Sequence, residues 1–285
     1  QSTLSRVEQG SRELDSLTSE MLLGRIGREV TRFELILNAE DYYLNQLRIE
    51  INENIEEKNY IKAKEKINLY RQHMPAEGKV HEQFCCYMEC RILIAQNEIT
   101  EKLSALLLRA IRYTIPDYLL ENCVSRRLYS PVEIELIRMH ITYNDRKCEC
   151  NEVELFLIMD FVTEFYSLKQ QEKIEIPLLV DCVKYEIALE KYNRALASIE
   201  RALDISVGRS MQYVGELHFL KAQVLSCVQN SIDKNREWQD ECKRECFMAY
   251  VVFGGMGKKE EKEEIYKYCL EKLNWQITEQ MMLSD

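Results

Sequence analysis

The sequence predicts an all-α fold, a right-handed solenoid of antiparallel helix pairs, and three observations carry that expectation. Turn residues are scarce, with nine glycines and four prolines in 285 residues. Sandwiches, barrels and doubly wound sheets need a turn residue about every ten positions, which this chain does not supply. Glu, Lys, Leu, Ile, Arg and Ala dominate instead, all fair to good helix formers. Apolar residues then recur at helical spacing. Leu103, Leu106, Leu107, Ala110 and Ile111 fall at i, i+3, i+4, i+7 and i+8. Leu155, Met159, Val162 and Phe165 or Tyr166 form a second stripe, and Ala195, Ile199, Ala202 and Leu203 a third. The periodicity predicts about a dozen helices joined by short connections, the usual arrangement of antiparallel neighbours.

Local punctuation supports the same elements. Ser130-Pro131-Val132-Glu133 reads as a capping box with proline at the first helical position. Thr31 with Glu34 makes the same pattern ahead of Ile36 and Leu37, and predicts a helix start there. Pro75, Pro116 and Pro177 are expected between helices, because a ring without an N–H breaks the helical ladder.

Two helix pairs share a spacing. Asn59-Tyr60 is followed by Ala63 at +3, Ile67 at +7 and Pro75 at +15. Tyr192 is followed by Ala195, Ile199 and Ala202, with Val207 where the closing proline would stand. This resembles the tetratricopeptide repeat, in which a small residue lets two helices approach and an aromatic fills the adjoining groove. Residues 151–190 and 210–255 are looser candidates, the latter with Leu217, Leu220, Val224 and Leu225 on one helix and Phe247, Tyr250 and Val251 on the next. Residues 78–147 are expected to be helical without a repeat signature. Stacked hairpins bury a continuous core, so a degenerate solenoid follows.

Composition bounds the function classes. Hydrophobic residues make up 46% and charged residues 30%, the balance of a folded domain. The formal charge of −10 argues against a nucleic-acid sheath, which needs clustered cations. No apolar run reaches the roughly 18 residues of a spanning helix, and no membrane role is expected. Several of the eleven cysteines, such as Cys123, Cys182 and Cys227, sit at helical positions among aliphatic residues. They read as reduced small hydrophobes, hence a cytoplasmic protein.

The opening residues Leu4, Ser5, Val7, Glu8 and Gly10 match the S-x-x-x-[IL]-S-x-[IVL]-E-x-G pattern around the recognition helix of Cro/Xre-type helix-turn-helix domains. The chain thus resembles, over about 25 residues, a bacterial regulator that joins such a domain to tetratricopeptide repeats, as peptide-pheromone receptors do. Leu14 to Ile26 would be the last helix of that domain, with Leu17, Met21 and Leu22 as its apolar side. Leu22-Leu23-Gly24-Arg25-Ile26-Gly27 followed by Phe33 to Leu37 looks like the junction to the repeats. The resemblance implies residues 1–27 as the remnant of a DNA-binding domain, truncated ahead of Gln1, and residues 28–285 as the repeat region. Gln1, Ser2, Thr3 and Arg6 would contact DNA only with the two missing helices restored. It also implies a homodimer and a role in quorum sensing.

Aligning Tyr60 with the repeat's aromatic predicts Asn45, Arg48 and Asn52 on a concave face at i, i+3 and i+7. Asn can donate to and accept from an extended peptide backbone, and Arg can hold a carboxylate in a fork. The same register predicts Val180, Lys184 and Ile187 in the second pair, and Glu216, Phe219 and Gln223 in the last. No catalytic residue, metal ligand or cofactor is expected. Cys86/Cys90 and Cys242/Cys246 are i, i+4 pairs, and Cys148-Glu149-Cys150 a third cluster, without the four-ligand spacing of a zinc site. No P-loop, G-x-G-x-x-G or G-x-S-x-G occurs. Two function classes follow: the sensor and dimerisation region of a transcription regulator that binds a peptide or protein, or a docking adaptor with no DNA role.

Overall fold

The computed structural model describes residues 14–28, 32–36, 38–76, 78–119, 127–143, 149–206, 213–229 and 236–277, without the side chains of 32–33, 149–152, 168–169, 172, 229 and 236–238. These residues form twelve α-helices and one 3₁₀ turn, with no strand among them. None of the helices is long and apolar enough to cross a membrane. The chain divides into two compact units, residues 1–167 and 168–285.

In the first unit α1 (Ser16–Arg25) is followed by the 3₁₀ turn Arg32–Leu35 and then α2 (Ala39–Glu56), α3 (Tyr60–His73), α4 (Lys79–Ala95), α5 (Glu101–Arg112), α6 (Pro131–Tyr143) and α7 (Glu149–Phe165). Successive helices from α2 to α7 pack on one another, and α2 also touches α4. The spacing that singled out Tyr60 and Ala63 has a packing basis. Ala63, Ile67 and Tyr70 are fully buried in a cluster with Leu47, Ile51 and Phe84, and Tyr60 packs against its edge. The expected capping box is present at α6: Ser130 N donates to Glu133 Oε2 at 2.8 Å, and Glu133 N points back at Ser130 Oγ at 3.4 Å.

The second unit contains α8 (Leu168–Ala188), α9 (Tyr192–Ser206), α10 (Val214–Gln229), α11 (Arg236–Gly255) and α12 (Lys259–Leu273). Sequential helices pack pairwise, and α8 also touches α10, as α2 touches α4. Ala195, Ile199 and Ala202 are fully buried on α9.

Two local expectations need correction. Pro177 lies inside α8, not between helices. Ile176, Leu178, Leu179 and Val180 around it are all buried, so tertiary packing outweighs the missing N–H and keeps the helix going. Glu34 belongs to the 3₁₀ turn, while Thr31 lies outside the described residues. The long helix begins only at Ala39, where the Asn38 side chain accepts from Asp41 N at 2.8 Å.

One backbone device recurs. Helices α1, α2, α4, α8 and α11 each end with a residue at positive φ: Gly27, Lys58, Asn97, Glu190 and Gly257. In each, that residue's N–H returns to the carbonyl three residues back, and the next N–H to the carbonyl five residues back. Examples are Lys58 N to Ile55 O with Asn59 N to Asn54 O, and Glu190 N to Ile187 O with Lys191 N to Glu186 O. This is the Schellman closure, which satisfies orphan carbonyls and reverses the chain within two residues. At Gly27 the absence of a Cβ is also needed for space, since an added Cβ would lie 2.1 Å from the Phe165 carbonyl oxygen.

Lys58 and Glu190 hold a left-handed conformation that costs an L-residue about 1–2 kcal/mol, while glycine's extra freedom when unfolded costs about 0.5–1 kcal/mol. Lys58→Gly and Glu190→Gly are therefore each expected to raise unfolding stability by about 0.5–1 kcal/mol in urea titrations; an unchanged midpoint would contradict the closure as drawn. Asn97→Gly should gain less, because Asn tolerates this conformation.

A second expectation concerns His140, which is buried against the Tyr118 ring. Burial, with a smaller contribution from Arg112, pushes its imidazole down to about 4. The unfolded chain takes up this proton near the ordinary value of 6.5 while the folded chain stays neutral. Stability should thus fall as pH drops from 6.5 towards 4, by about 3 kcal/mol at roughly 1.4 kcal/mol per unit. His140→Gln should flatten the slope between pH 6.5 and 5.5, above the ordinary range of carboxylates; a slope retained in the variant would refute the assignment.

Candidate binding site

In the first unit α1 rests on α4 and α6 and reaches α2 through side chains. These are the first helices of successive pairs, so α1 lies along the face that the repeat spacing predicts to be concave. Its start is set by Asp15, whose carboxylate accepts from Thr18 N at 2.8 Å and from Thr18 Oγ1 at 2.7 Å. Three polar contacts tie this end down. Ser16 N donates to Asp41 Oδ1 at 3.2 Å, Arg48 Nη2 donates to Glu20 Oε2 at 2.6 Å, and His81 Nε2 sits 3.0 Å from Asp15 Oδ1. His81 Nδ1 is in turn 2.7 Å from the Tyr70 hydroxyl. The Arg48 guanidinium also stacks over the Phe84 ring at 5.6 Å from its centroid.

Burial alone would raise the Asp15 carboxyl, but His81 and the Thr18 bonds outweigh it and hold the group well below the usual carboxylate range. Burial pushes the Tyr70 phenol well above its ordinary value. Three buried atoms beneath α1 find no hydrogen-bond partner among the described residues: Asp41 Oδ2, Asn45 Oδ1 and Arg48 Nε. Such groups normally find partners in a folded interior. This face therefore presents more polar valence than α1 satisfies.

The far end of α1 is fixed by a buried ion pair. Arg25 Nε donates to Glu133 Oε2 at 3.0 Å, its Nη2 reaches Glu133 Oε1, and the same Nη2 lies 3.3 Å from the Thr114 carbonyl. Gln83 Nε2 donates to Thr114 Oγ1 at 2.7 Å and to the Ala110 carbonyl at 3.1 Å, extending the network from α1 and α6 to α4 and α5. Glu133 is fully buried. Burial would raise its carboxyl, yet the Arg25 guanidinium holds it below the ordinary value. Gly24 lets the α1 backbone approach, since an added Cβ would meet Pro131 Cδ at 2.9 Å.

The sequence-predicted residues are distributed as follows. Gln1, Ser2, Thr3 and Arg6 lie outside the described residues. Asn45 and Arg48 are buried on α2. Asn52 is half-buried, donates to the Arg48 carbonyl at 2.8 Å and accepts from the Arg91 guanidinium. Of these three, Arg48 meets Glu20 of α1, while the partners of Asn52 lie on α2 and α4. In the second unit Lys184 is exposed and pairs with Glu216 at 2.6 Å across α8 and α10. Ile187 and Gln223 are half-buried on the same two helices. Phe219 is buried in the core, edge-on to Tyr268 at 5.3 Å, and Val180 is buried as well.

Sequence spacing marked Glu133 only as a capping residue and gave no sign of the Arg25–Glu133, Arg48–Glu20 and His81–Asp15 pairs, because these partners are far apart in the chain. Among the described residues no group of three or more His, Cys, Asp or Glu side chains is arranged to hold a metal ion. Burial pushes the Cys85 thiol up to about 12, so it is protonated near neutrality.

Arg25→Gln should cost about 3–5 kcal/mol of unfolding stability, because it strands the Glu133 carboxylate in the interior. Adding Glu133→Gln is expected to recover most of that loss, and a double variant no more stable than Arg25→Gln would exclude the ion pair as the cause. No family model, no curated protein and no solved structure matches this chain.

Proposed function

We propose that the chain is a right-handed solenoid of tetratricopeptide-like helix pairs that recognises a peptide or protein segment on the face formed by the first helices of its pairs. The single observation that carries this reading is the position of α1. A ten-residue helical segment already lies along that face in the first unit, held by Arg48–Glu20 and Asp41–Ser16 contacts. The matching face of the second unit, on α8 and α10, carries Lys184, paired with Glu216, and the half-buried Ile187 and Gln223. Lys184 can meet a carboxylate, Gln223 can bond a peptide amide, and Ile187 offers an apolar contact. A solenoid's extended concavity is its usual working surface.

The regulatory part of the reading rests on Leu4, Ser5, Val7, Glu8 and Gly10, which lie outside the described residues. On that resemblance the chain is the sensor and dimerisation region of a cytoplasmic transcription regulator, and ligand binding would shift the helix pairs and the DNA-reading parts attached to them.

Panning a random-peptide display library against the protein, then measuring a selected peptide by fluorescence anisotropy, tests the binding face. Lys184→Ala with Gln223→Ala is expected to weaken binding about tenfold, some 1.4 kcal/mol, with an unchanged melting temperature. Undiminished affinity in that double variant would rule out the α8–α10 face.

A further inference from the structure

A groove of about 660 Å³ opens between α3, α4 and α5, and none of its lining residues belongs to α1, α2 or α6. It is therefore separate from the face described above. Lys64 stands on its α3 side, with Lys102 and Arg109 on its α5 side, and all three are exposed. Leu93 and Leu106 supply an apolar floor. Glu89 is the one carboxylate among the lining residues, and it is already engaged by Arg71 Nη1 at 2.6 Å.

The partners of the cations matter more than their number. Lys64 Nζ is 3.3 Å from Gln96 Oε1, a neutral amide. Arg109 Nη2 lies 3.6 Å from Cys86 Sγ, and burial raises that thiol, keeping it neutral. Neither contact cancels the cation. In a chain of net charge −10, a groove whose own carboxylate is taken and whose cations meet neutral groups is a local reversal of sign. Such a reversal steers anionic partners and fixes their register.

We propose that this α3–α5 groove binds a short acidic peptide segment, whose carboxylates meet Lys64, Lys102 and Arg109 and whose apolar side chains rest on Leu93 and Leu106. The floor favours a peptide over nucleic acid, since a sugar-phosphate strand offers no side chain as long and apolar as leucine to bury there. Helix α5 has 12 residues and is therefore about 18 Å long. That length suits about five residues of extended peptide at roughly 3.3 Å each.

The probe is fluorescein-labelled acetyl-ELDELD-amide, titrated by anisotropy against the whole chain, with acetyl-QLNQLN-amide and a labelled oligothymidylate as competing probes. Saturable binding of the acidic peptide is expected, weakened by added salt and absent for the amide peptide. Lys102→Glu and, separately, Arg109→Gln should each weaken it at least tenfold, while Arg109→Lys retains most of it. Lys62→Glu, an exposed change elsewhere on α3, should leave it unaltered. Circular dichroism on each variant reports folding, and Lys64→Gln replaces any that fails to fold. Three results would overturn the proposal: no saturable binding, an equal loss in Lys62→Glu, or tighter binding of the oligothymidylate.

Discussion

The Arg25–Glu133 pair fixes the end of α1, and the position of α1 decides which surface of the first unit is open. A carboxylate as enclosed as Glu133 is tolerated only with a cation and hydrogen bonds around it, here Arg25, Ser130 N and the Thr114 region. The same glutamate completes the capping box of α6. One side chain thus couples a local helix start to a contact 108 residues away in sequence. With Gly24 and Gly27 allowing close backbone approach, α1 has little freedom at its C-terminal end.

Its other end is held differently. Asp15, Glu20, Asp41, Arg48, Tyr70 and His81 form a polar contact set between α1 and the hairpin behind it. That set is incomplete, with Asp41 Oδ2, Asn45 Oδ1 and Arg48 Nε left without partners among the described residues. Buried polar groups of this kind are costly in a low-dielectric interior. The two ends of α1 thus differ, one saturated by Glu133 and the other resting on under-satisfied polar groups.

The repetition of the fold is written in its turns as much as in its helices. Lys58, Asn97, Glu190 and Gly257 close four helices with the same left-handed residue, yet the four residue types share no sequence signal. That is why residues 78–147 look unlike a repeat in sequence although α4 and α5 form a hairpin closed like that of α2 and α3. Pro177 makes the converse point. Its ring marks a helix boundary by local propensity, but the buried aliphatic residues on either side keep α8 continuous.

The sequence by itself determined the helical class, the stripes of Leu103 to Ile111 and Ala195 to Ala202, the packing role of Ala63 and the capping box at Ser130. These depend on neighbours within two helical turns, so spacing and residue type suffice to read them. It also placed Asn45, Arg48 and Asn52 on one stripe, though not what covers them. Only the tertiary structure decided that Arg48 pairs with Glu20 of α1, that Phe219 turns into the core against Tyr268, and that Lys64, Lys102 and Arg109 border one groove. Those relations join residues from helices whose separation in sequence carries no periodic signal. Side-chain packing and the pairing of buried charge, not local propensity, set them.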